Sequence, residues 1–106
     1  FHVISYYKNY LDIFYKNKPE LKPFFATHPG ELLLDEMKER KISQIKIATQ
    51  TGVKASFLNE IIKGKRSIHA HFAISLEKVL GIPAEYWLRL QMNYDLNMAR
   101  EAISLN

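Results

Sequence analysis

The 106 residues contain no cysteine, so disulfides and thiolate metal sites are excluded, and a cytoplasmic location is the compatible expectation. No apolar run approaches the roughly 20 residues that span a bilayer, so no membrane segment is expected. Only four glycines and four prolines punctuate the chain. No segment sustains the period-two alternation of a half-buried strand, and there is no internal repeat or low-complexity tract. The first residue is Phe1 rather than methionine, so the true start is expected to lie upstream or to have been removed. Phe1–Ser5 is too short to read as a signal peptide.

What is present is a folded-domain composition, 47% hydrophobic and 25% charged. This length normally makes one domain with one core. The expected architecture is all-α: five helices in residues 26–106, preceded by an N-terminal aromatic helical extension and linker in residues 1–25. In the extension, Val3, Tyr7, Tyr10 and Phe14 recur at four, three and four, one face of a helix over Val3–Lys16. Lys16–Pro23 holds two prolines and reads as a linker. Pro29 suits the first turn of a helix, where its missing N–H costs nothing, and Glu31 follows where a carboxylate favours the helix N-terminus. Leu32, Leu33 and Met37 are that helix's expected buried face.

The richest stretch is Ile42–Arg66. Ser43 is placed to cap a helix by accepting an orphan backbone N–H, and Ile45 and Ala48 fall three apart on its apolar face. Gly52 supplies a turn that needs positive φ, with Val53 tucked inward. Phe57, Leu58, Ile61 and Ile62 then form the stripe of a second helix, and Lys54, Ala55, Ser56, Asn59 and Lys63 occupy its other face. Two short helices about a glycine turn are the layout of a helix-turn-helix, whose second helix enters the DNA major groove.

Charge agrees. Residues 38–66 hold eight Lys/Arg against two acids, a net +6, whereas the whole chain is only +4. A basic excess confined to one segment fits a polyanionic partner, although a solvated helical surface would also carry such charges. Downstream, Ile68–Leu80 is amphipathic through Phe72, Leu76 and Val79 or Leu80, and Gly81 ends it. Pro83 starts the next helix, with Glu85 in its first turn. Trp87, Leu90, Gln91 and Tyr94 share a stripe there, readable as core or as a dimer seam. From Asp95, Met98, Ala99, Ala102 and Ile103 continue at helical spacing.

Sharper chemistry finds little support. His69 and His71 sit two apart on a helix, so their side chains diverge by about 200° and do not share an ion. No Ser/His/Asp set can be brought together from the sequence, and no glycine-rich phosphate loop exists. Neither an enzyme, a metal nor a cofactor is expected.

Thr27-His28-Pro29-Gly30-Glu31 opens the first helix of the domain, and Gly64-Lys65-Arg66 closes the third. Trp87-Leu88-x-Leu90-Gln91-x-x-Tyr94-Asp95-Leu96 stands near the end. With these in order over roughly residues 27–96, the chain resembles HigA-type antitoxins of the lambda-repressor-like (Xre) helix-turn-helix family. The resemblance implies a DNA-binding antitoxin that neutralises a RelE-like ribonuclease toxin by direct binding. It also implies a homodimer that represses its own operon on a palindromic operator. A solitary Xre-type regulator without a toxin is the alternative, because the DNA-reading residues would be the same.

By position, the resemblance assigns DNA contacts to Ser43, Gln44, Lys46, Lys54, Ala55, Ser56, Asn59, Lys63, Lys65 and Arg66. Gln44 would bond a phosphate, and Lys65 and Arg66 would clamp the backbone after the recognition helix. Dimerisation falls to Trp87, Leu90, Gln91 and Tyr94. Two positions depart from the family pattern: Lys54 and His69 stand where a serine or threonine is usual, and lysine has no side-chain oxygen with which to cap the recognition helix. The extension lies outside the resemblance. Its Tyr7, Tyr10 and Phe14 have three possible places: the chain's own domain, a dimer mate, or a groove of the toxin, and toxin binding is the working expectation.

Overall fold

The computed structural model describes residues 27–104, and the extension with its Tyr7, Tyr10 and Phe14 lies outside them. Five α-helices and no strand occur among the described residues: α1 Pro29–Arg40, α2 Gln44–Thr51, α3 Ala55–Ile62, α4 Ala70–Leu80 and α5 Ala84–Ser104. The all-α expectation holds. None of these helices is long and apolar enough to cross a membrane.

Each helix begins and ends for local reasons. Pro29 occupies the first position of α1, Ser43 caps α2, and Gly52 and Gly81 close α2 and α4 at φ 76°. Lys41 takes the same left-handed role at the end of α1, with φ 57°, at a position where glycine would carry less strain. Pro83 falls just outside α5, which starts at Ala84, one residue later than the sequence reading placed it. Its carbonyl accepts the N–H groups of Tyr86 and Trp87. Helix α5 then runs unbroken through Asp95, so the tail is part of one helix.

The core joins all five elements. Leu33 and Met37 of α1, Ile47 and Ala48 of α2, Leu58 and Ile61 of α3, Phe72 and Leu76 of α4, and Trp87 of α5 are buried together. Helix α1 packs on α3 and α5, α2 on α3 and α4, and α4 chiefly on α5. One expectation is corrected. Ile45 is 73% exposed, and Ile47 pairs with Ala48 on the buried face of α2 instead. Successive helical residues stand 100° apart, so 45 and 47 point about 200° apart, and the apolar face, which keeps Ala48, turns by about 80°.

Candidate nucleic-acid interface

The α2–turn–α3 unit is built as its residues dictate. The Ser43 hydroxyl oxygen accepts the Lys46 N–H at 3.1 Å, so Ser43 is committed to holding the start of α2. Gln44 is the first residue of α2 and half-buried, and Lys46 is exposed. Across the turn, the Val53 N–H donates to the Ala48 carbonyl at 3.1 Å, and Thr51 Oγ1 donates to the Ile47 carbonyl at 2.7 Å. The turn is therefore tied back on α2, which fixes the direction in which α3 leaves.

Helix α3 presents two opposed faces. Leu58 and Ile61 are fully buried, while Lys54, Ala55, Ser56 and Lys63 are exposed and Asn59 is half-buried. On a 100° wheel, positions 55, 56, 59 and 63 fall within one quadrant or so, opposite 58 and 61. Lys54 stands at the N-cap with no side-chain cap bond, and His69 does the same for α4. The first N–H groups of α3 thus lack a side-chain acceptor from Lys54, at the end where the helix dipole is positive.

The basic segment after α3 is shaped by contacts the sequence hides. Gly64 turns the chain at φ 76°, leaving Lys65 and Arg66 exposed. The Arg66 guanidinium lies 4.9 Å above the Phe57 ring and donates to Glu60 Oε1 at 3.2 Å. Phe57 in turn meets Phe72 edge to face at 5.6 Å. An exposed pair of this kind is worth at most about 1 kcal/mol, so it orients Arg66 without locking it. Farther along, the Ile68 N–H donates to Gln91 Oε1 of α5 at 2.8 Å, and Gln91 Nε2 donates to Asp95 Oδ1 at 2.9 Å.

His28 sits beneath this segment. It is 5% exposed and caps α1, its Nδ1 accepting the Gly30 N–H at 2.9 Å. It lies beside the Arg66 backbone, and its ring meets Tyr94 edge to face at 4.9 Å. A Cβ added at Gly64 would rest 3.7 Å from His28 Cγ. Burial pushes the His28 pKa below its ordinary 6.5, while the Asp95 and Glu31 charges and the Arg66 backbone push it back up. The histidine, the glycine turn and the Tyr94 motif are far apart in sequence and meet at one ring. Glu77 was likewise invisible from sequence: its Oε1 accepts the Ala84 N–H at 2.7 Å and caps α5 from the neighbouring helix. Neither contact carries a sequence signal, because each joins residues through the folded backbone.

The stripe assigned to dimerisation divides. Trp87 has 0% exposure and Gln91 5%, so neither has surface to lend a second copy, whereas Leu90 and Tyr94 are half-buried. The physical reason is that their side of α5 packs against α1 and α4. Apolar side chains that do reach solvent lie mainly on the opposite side: Met92, Leu96 and Ile103 are 51%, 41% and 71% exposed. His69 and His71 are both exposed, and among the described residues no three His, Cys, Asp or Glu gather as a metal site.

A helix-turn-helix family model, HTH_3, matches residues 33–87, from within α1 to the start of α5. Virulence-associated protein I of Dichelobacter nodosus is 39% identical over 77 residues, which are 72% of this chain and 71% of that protein. Among solved structures, an addiction module antidote protein of the HigA family from Coxiella burnetii is 36% identical with a TM-score of 0.69. The likeness covers 73% of this chain and 85% of that one. The Pseudomonas aeruginosa antitoxin HigA with the higBA promoter is 37% identical with a TM-score of 0.70, covering 74% and 86%.

Proposed function

The chain belongs to the helix-turn-helix family, of the Xre type, and on that premise we propose that it is a DNA-binding antitoxin that represses its own operon. Helix α3 enters the major groove, with Ala55, Ser56 and Asn59 toward base edges. Gln44, Lys46, Lys54, Lys63, Lys65 and Arg66 contact phosphates. The observation that carries this reading is the exposed polar face of α3 opposite a fully buried Leu58 and Ile61, inside a segment of net +6. A promoter-bound relative at 37% identity supports it.

The protein acts as a homodimer, and the exposed side of α5 is the proposed seam. Met92, Leu96, Ala99 and Ile103 recur at four, three and four, the spacing of a two-helix seam. In a parallel pair, Asp95 faces Arg100 of the partner subunit five positions on, an opposite-charge match. Two recognition helices about a two-fold axis then read half-sites about 34–36 Å apart. The second partner is a small RelE-like ribonuclease toxin, neutralised by direct contact, to which the aromatic residues Tyr7, Tyr10 and Phe14 are the proposed contribution.

Mobility shift on the chain's own promoter against scrambled duplexes tests the first half. With about eight phosphates neutralised per dimer, log K falls against log[salt] with a slope near −7. Equal affinity for scrambled duplexes, or a flat salt response, would refute it. Co-expression with the neighbouring reading frame, read by co-purification and growth rescue, tests the second half. Absence of both leaves the chain a solitary regulator.

A further inference from the structure

We infer that His28 is a positioning residue for DNA binding: from inside the domain it sets the place of the Gly64–Arg66 segment, and so the aim of Lys65 and Arg66 at the phosphate backbone. The inference rests on the DNA-binding reading above and deepens it.

The geometry is specific to that segment. The segment leaves α3 through a left-handed glycine, where the Lys65 N–H still donates back to the Glu60 carbonyl at 2.8 Å, and re-enters helix only at Ala70, so from Arg66 to Ile68 helical hydrogen bonding does not hold it. Two inward ties do. One is Gln91, which takes the Ile68 N–H at 2.8 Å. The other is His28, which lies beside the Arg66 backbone and is packed so close to Gly64 that an added methyl would touch its ring. Lys65, between the His28 contacts, projects to solvent.

His28 itself has little freedom. Its Nδ1 is occupied by the Gly30 N–H, its ring edge meets Tyr94, and 95% of its surface is covered. Accepting a backbone N–H at Nδ1 requires the neutral imidazole with its proton on Nε2. One ring thus ties the start of α1, the end of α3 and the middle of α5, and the charges that act on it are those of Asp95 and Glu31. A phosphate contact needs its donor in a fixed place, and a backbone segment free to shift by an ångström would spend binding energy on ordering itself.

The experiment compares the full chain with His28→Asn. Asparagine is a good N-cap and preserves the bond to Gly30, but it is too short to reach Arg66 or Tyr94. Thermal melting first establishes that the variant is folded at the assay temperature. Operator affinity is then measured from 50 to 200 mM salt for wild type, His28→Asn, Lys65→Ala with Arg66→Ala, and the triple variant. The expected result is an affinity loss on the order of tenfold, with a salt slope shallower by about one to two, the loss of one or two phosphates per dimer. It is uniform across sequences, and His28 replacement adds nothing once Lys65 and Arg66 are gone. A folded His28→Asn with wild-type affinity and slope overturns the inference, as does a loss that persists undiminished in the triple variant. If wild type itself fails to prefer its promoter, the DNA-binding reading falls first. If His28→Asn is unfolded, NMR titration of the wild type decides. Lys65 and Arg66 amides that follow the His28 midpoint support the tie, and amides that ignore it overturn it.

Discussion

Gly30 of α1 lies directly against the backbone carbonyl of Ile61 in α3. A Cβ at Gly30 would overlap the Ile61 carbonyl oxygen and stand 2.7 Å from its carbon. The absence of a side chain on one helix therefore sets the closest approach of the other, and α3 is the proposed recognition helix. Gly30→Ala is expected to cost about 1–3 kcal/mol or more, the range for forcing atoms into a packed contact. Gly52→Ala meets nothing within 4 Å and costs only the left-handed backbone penalty of about 1–2 kcal/mol. Urea unfolding of the two variants checks the order, and equal costs would show that α1 yields.

Stability should fall in mild acid through His28. Its folded pKa lies below the unfolded 6.5, chiefly from burial. The unfolded chain therefore binds more protons in the window below 6.5, and stability rises with pH there. The contribution is fully present above 6.5 and is lost as pH falls through the lower folded value. Urea midpoints measured from pH 7.5 down to 5 should drop in wild type, and that part of the drop should vanish in His28→Asn. A pH-independent wild type would contradict the buried neutral ring.

Reading and positioning are separable on α3 and after it. Asn59→Ala should relax base discrimination at one or two operator positions by about 1–3 kcal/mol. Lys65→Ala should weaken all duplexes alike and reduce the salt slope by about two, one contact from each subunit. Competition with a panel of single-base operator variants checks both. An unchanged preferred sequence in Asn59→Ala would mean that α3 presents a different face.

A charge placed in the α5 seam should prevent pairing without harming the fold. Leu96 is 41% exposed, so the carboxylate of Leu96→Glu can reach solvent in the monomer while the stem keeps its place. Analytical ultracentrifugation should show a monomer with wild-type helicity, and operator affinity should fall with the loss of one half-site. A dimer that survives Leu96→Glu would place the seam elsewhere.

The sequence by itself determined the helices and the local residues that start or stop three of them. Pro29, Ser43, Gly52 and Gly81 act on their own backbones within one turn, so their roles are local and were legible. The basic segment and the polar face of α3 were legible for the same reason, since charge and periodicity are properties of a short window. Tertiary structure alone decided which residues of a stripe face inward. It turned Ile45 out and Ile47 in, and buried Gln91 where the sequence left core and seam open. It alone brought His28, Gly64, Arg66 and Tyr94 together, and gave α5 its cap from Glu77. Such contacts join residues 7 to 66 positions apart, and their partners are chosen by how helices cross, which no local window encodes.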